Sequence, residues 1–165
     1  MNNILLNLGC DQYKLSGFTN VDINPDVSPD LCFDLTFIRK YFEENSVDFI
    51  VANHVLEHLN LKDAINLVFD CYRLLKPFRS LLITVPDYSK CFNLPIDLSE
   101  RIILANSTHK ILCNKERLEF IFSKVGFKCF TEITDLNKVP YLLVSDVTNP
   151  VPDPWQTSFL ALKIS

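Results

Sequence analysis

The stretch Leu6–Pro25, LNLGCDQYKLSGFTNVDINP, decides how this chain folds. A short apolar run from Ile4 ends at Gly9, and a second, Phe18 to Ile23, carries Asp22 near its end before Asn24-Pro25 breaks it. Short apolar runs bounded by turn residues are the pattern of strands buried on both faces of a parallel sheet. Such sheets bind ligands in the crevice beyond the carboxyl ends of their strands, at the point where the strand order reverses. That rule works as a filter, because functional residues should lie at strand ends and not at strand starts.

Outward from this stretch, Leu31–Leu35 reads as a brief third strand, Val47–Asn53 (VDFIVAN) as the fourth and Leu81–Val85 (LLITV) as the fifth. The last two are mainly apolar and β-branched, which implies burial on both faces. Between them Leu61, Ala64, Ile65, Val68, Tyr72 and Leu75 fall on one helical face. Asn60 caps that helix with Asp63 as its box partner, and Pro77 ends it. A second helix runs from Asn114 as cap through Leu118, Ile121, Phe122 and Val125 to Gly126 as stop. Lys128–Ile133 and Ser158–Ile164 are late strands, flanking a connection that holds Pro140, Pro150, Pro152 and Pro154. Strands alternating with helices make an α/β domain with a mainly parallel sheet.

The length of 165 residues suits one domain, 1–165, with a sizeable core, and 48% hydrophobic residues place it among globular chains. The formal charge is -4 and the 16 Lys and Arg are dispersed, which argues against nucleic acid as a partner. No apolar run approaches the roughly 20 residues of a membrane span, and no leading signal segment is present, so a cytoplasmic protein is expected. The six cysteines form no CxxC pair and read as reduced, mostly buried small hydrophobes.

Few residues pass the strand-end filter. Gly9 supplies a tight turn where backbone can approach a ligand. Asp22 is placed to accept two ribose hydroxyls, or to shape the turn before Asn24-Pro25. Asp34 can accept from an adenine amino group, or cap a turn before Thr36. After the fourth strand, NHVLEHL crowds Asn53, His54, Glu57 and His58 at the ligand edge. HxxEH resembles a zinc motif, but that motif belongs on a helix and no third ligand is evident, so no metal is expected. His54 is assigned to the pocket; His58 is left between pocket and structural roles.

Taken together, LNLGC, GFTNVDINP, PDLCFDLT, SVDFIVANHVLEHL, YRLLKP, LLITVPD and LEFIFSKVGF resemble the class I S-adenosylmethionine-dependent methyltransferases of type 11. The resemblance runs from about Ile4 to Phe127 and is nearest to a compact bacterial and phage-like subgroup that begins almost at strand one. It implies a Rossmann-like sheet of about seven strands, the last antiparallel, and S-adenosylmethionine as cofactor. The residues it places around the cofactor are Gly9, Cys10, Asp11, Asp22, Ile23, Asp34, Leu35, Asn53 and His54. Catalysis falls to His54 and Asp87, facing a small-molecule or glycan-like acceptor. Residues 10–21 alone separate Gly9 from Asp22, against roughly 20 in a dinucleotide fold, so the first crossover helix is shortened; with GxGxxG also absent, this counts against a nicotinamide cofactor.

The chain departs from the family pattern in three places. Asp11 and Tyr13 stand where glycines are usual, which raises the alternative of an inactive binding or assembly module. An aspartate tolerates positive φ better than most residues, so Asp11 can still serve a glycine's turn. Phe78 and Arg79 replace glycines in KPFRS, a loop read as lying away from the cofactor. Tyr88–Lys110 must supply most of the lid, and the open pocket and sheet edge are compatible with a homodimer. The cofactor reading requires Asp22 and Asp34 side by side and the Tyr13 ring clear of the hollow between them.

Overall fold

A computed structural model describes residues 3–104, 108–135, 139, 153 and 155–164. The seven expected strands are β1 (Leu5–Leu8), β2 (Thr19–Asp22), β3 (Leu31–Cys32), β4 (Val47–Asn53), β5 (Leu75–Pro86), β6 (Cys129–Glu132) and β7 (Gln156–Leu162). They form one sheet in the order β3-β2-β1-β4-β5-β7-β6. The β1, β2, β3, β4 and β5 pairings are parallel, and β7 runs antiparallel to both β5 and β6. The sequence direction reverses at β1, whose neighbours are β2 and β4, so the switch point lies beyond Leu8.

Among the described residues four α-helices accompany the sheet: α1 (Leu61–Leu74), α2 (Tyr88–Cys91), α3 (Ile96–Leu104) and α4 (Lys115–Val125). None of the described helices is long and apolar enough to cross a membrane. Asn60 caps α1 by accepting from the Asp63 N–H, and Asn114 caps α4 by accepting from the Arg117 N–H. Gly126 stops α4 at φ +118°, the left-handed residue that frees the chain from the helix. No helix links β1 to β2, as the short spacing requires.

The main core lies between the sheet and α1 and α4. It packs Leu6, Leu8, Ile50, Ala52, Leu81 and Ile83 against Leu67, Val68, Leu118 and Phe122. On the other face Phe18, Phe49, Val51 and Leu82 make a smaller cluster with Val139. Both faces of β4 are therefore buried, which explains its unbroken apolar run.

Four sequence expectations need correction. The buried stripe of α1 is Ala64, Leu67, Val68, Cys71 and Leu74, whereas Leu61 is exposed. The helix also stops at Leu74, because Leu75 is already paired with Val47 in β5. KPFRS is consequently no free loop. It is a bulge inside β5, between the Val47–Leu75 and Phe49–Ser80 pairs. The third strand ends at Cys32, so Asp34 and Leu35 lie past it, Leu35 opening a 3-10 helix over Leu35–Lys40. Pro140, Pro150, Pro152 and Pro154 lie outside the described residues. Of the cysteines, Cys10, Cys71, Cys91 and Cys113 are buried, Cys32 and Cys129 exposed, and all six are free thiols.

Candidate active site

The site is built from the carboxyl ends of β1 to β5. At the end of β1, Gly9 has φ +63°, and a Cβ there would come within 2.6 Å of Val55 Cγ2. Only glycine satisfies both the left-handed backbone and this close approach. The Cys10 N–H donates to the Val21 carbonyl (3.0 Å), tying the turn to β2. Burial pushes the Cys10 thiol up, and the Asp22 charge adds to this, so it stays protonated. Asp11 has φ +42°, and its N–H donates to Asp22 Oδ2 (2.8 Å). The Tyr13 N–H donates to the Cys10 carbonyl (2.8 Å), closing a turn whose ring is 79% exposed and so fills no hollow.

Asp22 is the hub of this edge. Its Oδ2 holds the Gly9 turn through Asp11 and its Oδ1 accepts from the Asn24 N–H (2.9 Å). Each carboxylate oxygen keeps a second lone pair for a ligand hydroxyl. Ile23, next along, is 64% exposed, an apolar surface beside the carboxylate. The register pairs Asp22 with Cys32, and the Phe33 N–H donates to the Asp22 carbonyl (3.0 Å), which brings Asp34 to the same edge. Asp34 caps the 3-10 helix, its Oδ1 accepting from the Thr36 N–H and hydroxyl (2.9 and 2.8 Å). Leu35 turns its side chain into the main core.

On the other side of β1, Leu8 pairs with Ala52, which sets the Gly9 turn beside Asn53. Asn53 is exposed, and His54 follows with φ +55°, its N–H donating to the Thr84 carbonyl (2.9 Å). This left-handed residue turns the chain sharply off the strand and aims the imidazole along the edge. His54 Nδ1 lies 3.0 Å from Glu57 Oε1 and Nε2 lies 2.9 Å from Gln156 Nε2. Gln156 Oε1 accepts from the Asp153 N–H, so the amide nitrogen faces the ring. The assignment that satisfies all three contacts is a neutral imidazole, donating from Nδ1 and accepting at Nε2. Trp155 lies against the same ring at 5.6 Å between centroids.

Asp87 ends β5 and caps α2, accepting from the Ser89 N–H (3.0 Å) and the Ser89 hydroxyl, and is fully buried. Its backbone N–H donates to the Trp155 carbonyl (2.8 Å), which fastens β7 to this corner. Behind His54, the Lys110 N–H donates to the Glu57 carbonyl (2.7 Å), bringing His109 to the NHVLEHL turn. Burial pushes the His109 imidazole below the usual histidine range, against the pull of Glu57. Burial likewise pushes the neighbouring Cys113 thiol up to about 12.

The structure thus gathers Gly9, Cys10, Asp11, Asp22, Ile23 and Asp34 on one side of the switch point and Asn53 and His54 on the other. Sequence reading missed Gln156, Trp155 and His109. Gln156 lies 102 residues from the ring it touches, and no local pattern signals such a contact.

A family model described as a methyltransferase domain, of type 11, matches residues 12–83. No curated protein matches the sequence. A S-adenosylmethionine-dependent methyltransferase from Archaeoglobus fulgidus superposes with TM-score 0.70 at 17% identity, over 98% of this chain and 86% of the other. The chain carries the class I methyltransferase fold. A Thermotoga maritima methyltransferase, described as a possible histamine N-methyltransferase, superposes with TM-score 0.68 at 15% identity over 99% of this chain and 83% of that one. Phosphoethanolamine N-methyltransferase 2 of Haemonchus contortus, solved with S-adenosylmethionine, gives TM-score 0.65 at 16% identity. All of this chain matches it, but only 49% of that enzyme is covered. Within the methyltransferase fold, the two residues that depart from the usual turn are accommodated: Asp11 adopts the positive φ and Tyr13 points outward.

Proposed function

We propose that the chain is an S-adenosylmethionine-dependent methyltransferase acting on a small-molecule or glycan-like acceptor. The methyltransferase-domain match and the fold support S-adenosylmethionine as the cofactor. One observation carries the reading: Asp22 fastens the Gly9 turn while keeping lone pairs free at the switch point. Asp22 would take the ribose hydroxyls, and the exposed Ile23 would pack on the base. Asp34 spends Oδ1 on its own cap, and Oδ2 would accept from the adenine amino group. Gly9, Cys10 and Asp11 would offer backbone to the methionine end, with Asn53 and His54 completing the wall. Leu35 would contribute only backbone, since its side chain belongs to the core.

The bound cofactor supplies an activated methyl group on a sulfonium that is its own leaving group, so the protein's part is alignment and exclusion of water. His54 Nε2 is the basic atom at the acceptor side. The Gln156 amide holds the ring oriented there until an acceptor displaces that contact. Asp87 would act by holding α2 and the Trp155 corner in place, because its Oδ1 is committed to the cap and its Oδ2 lies 3.9 Å from Lys90 Nζ. The acceptor class takes support from two similar structures, named for phosphoethanolamine and histamine methylation, and from the absence of concentrated positive charge.

Calorimetric titration with S-adenosylmethionine and its demethylated product tests this. Saturable binding is expected, weakened at least about 10-fold in Asp22→Asn by loss of charge-assisted hydrogen bonds. No heat from either compound at millimolar concentration would remove the reading.

A further inference from the structure

We infer that Glu57, His58 and His109 bind a divalent transition-metal ion. A carboxylate oxygen of Glu57 and one imidazole nitrogen from each histidine all lie within 4.8 Å of one another. Donors on a zinc ion, each about 2.0–2.2 Å from the metal, stand roughly 3.3–3.5 Å apart, so small rotations of the two histidine rings close the set. The rings already meet edge to face at 4.9 Å between centroids.

Glu57 supplies the independent reason. Its residue is 1% exposed, Oε1 accepts from His54, and Oε2 has no hydrogen-bond partner among the described residues. A buried carboxylate oxygen without a donor is rare, because its lost hydration must be replaced by something positive or protic. A cavity of about 10 Å³ lies beside Glu57, Tyr88, His109 and Cys113, room for a single water or ion. Glu57 and His109 line this cavity, and the His58 ligand nitrogen lies within 4.8 Å of theirs.

The remaining contacts are those of a ligand's supporting shell. His54 donates from Nδ1 to the other oxygen of the ligating carboxylate. The Ile103 backbone acts on the His109 imidazole from one side as an acceptor that favours a proton on the ring. Metal-binding histidines are oriented in this way by backbone carbonyls. Two imidazoles and a carboxylate suit zinc, cobalt, manganese or ferrous iron; calcium and magnesium prefer oxygen donors throughout. Three protein ligands leave a coordination position open to water or an acceptor atom. His54 of the HxxEH stretch is not itself a ligand. The third ligand comes from His109, far along the chain.

The test is calorimetric titration of the full, chelator-stripped chain with zinc, alongside His58→Ala and His109→Ala, with circular dichroism to confirm folding. His58→Gln and His109→Gln serve where an alanine variant does not fold. One equivalent of zinc is expected to bind, with affinity lowered at least about 10-fold by either replacement, a loss no smaller than supporting-shell changes produce. The cobalt(II) form should show visible bands of nitrogen and oxygen ligation without a thiolate charge-transfer band. Three results overturn the inference: no saturable binding, binding that survives both replacements, or a thiolate band, whether from exposed Cys32 or Cys129 or from Cys91 or Cys113 beside the cavity. The inference does not rest on the cofactor reading. Titrating the stripped chain with the demethylated cofactor separates the two, since a chain that binds that compound and no zinc refutes the metal site alone.

Discussion

Gly9 meets two demands at once, a left-handed backbone at φ +63° and a neighbouring Val55 methyl that leaves no room for a Cβ. Gly9→Ala is expected to lower unfolding free energy by about 1–3 kcal/mol, the sum of backbone strain and a forced shift of Val55. Urea denaturation measures it. A neutral result would mean that the turn relaxes, and with it the tie between Asp11 and Asp22. At this scale the sequence was partly legible. Asp22 was visible because a strand end followed by Asn24-Pro25 is a local pattern, and Asp11 was readable as an aspartate tolerant of positive φ. For Asp22 and Asp34 the turn and cap readings each describe a real contact: Asp22 binds Asn24 within its own turn, and Asp34 caps Thr36. His109 and Gln156 were illegible, because their partners are supplied by segments remote in the chain.

The clearest departure at the scale of elements is the bulge in β5. Phe78 holds φ +62° with its ring 66% exposed, so a bulky residue sits in a conformation suited to glycine without burying much in return. Phe78→Gly should therefore stabilise the chain by about 0.5 kcal/mol, strain relief offset by the greater freedom of glycine in the unfolded state. In a thermal melt that is a rise of roughly 1–2 °C. A fall would show that the Phe78 ring contributes packing that its exposure hides. The α1 stripe teaches a related lesson. Leu61 and Leu75 fit the helical period, yet Leu61 lies open at the helix start and Leu75 belongs to the strand. Periodicity marks which residues are apolar, while the helix end at Leu74 is set by where Val47 waits to pair with Leu75.

For the whole molecule, Asp48 pins the end of the sheet opposite the site. Buried in β4, it accepts from the Ile4 N–H (3.0 Å), Lys76 Nζ (2.7 Å) and Arg79 Nε (3.2 Å), joining the starts of β1, β4 and β5. Burial alone would raise its pKa, but the Lys76, Ile4 and Arg79 contacts outweigh it and hold the carboxyl below the usual range. A carboxyl depressed on folding stabilises the native state above its unfolded pKa, about 3.9, and that stability is lost as pH falls through the lower folded value. Asp30, held down by the Asn20 backbone and side-chain amides, adds to the same limb. Denaturation monitored from pH 6 downward should show stability falling below about pH 4, and Asp48→Asn should be less stable at neutral pH with a shallower acid limb. An unchanged acid limb would place the pH dependence elsewhere. The sequence by itself determined the α/β class, the order of the strands along the chain and the turn carrying Gly9 and Asp22. Apolar runs, caps and turn residues act over a few neighbours and leave their pattern in order along the chain. Only the tertiary structure decided that β7 enters between β5 and β6, that Gln156 meets His54, and that His109 stands with Glu57 and His58. Those contacts depend on how the whole sheet closes around its core, and burial makes neighbours of residues that no local periodicity relates.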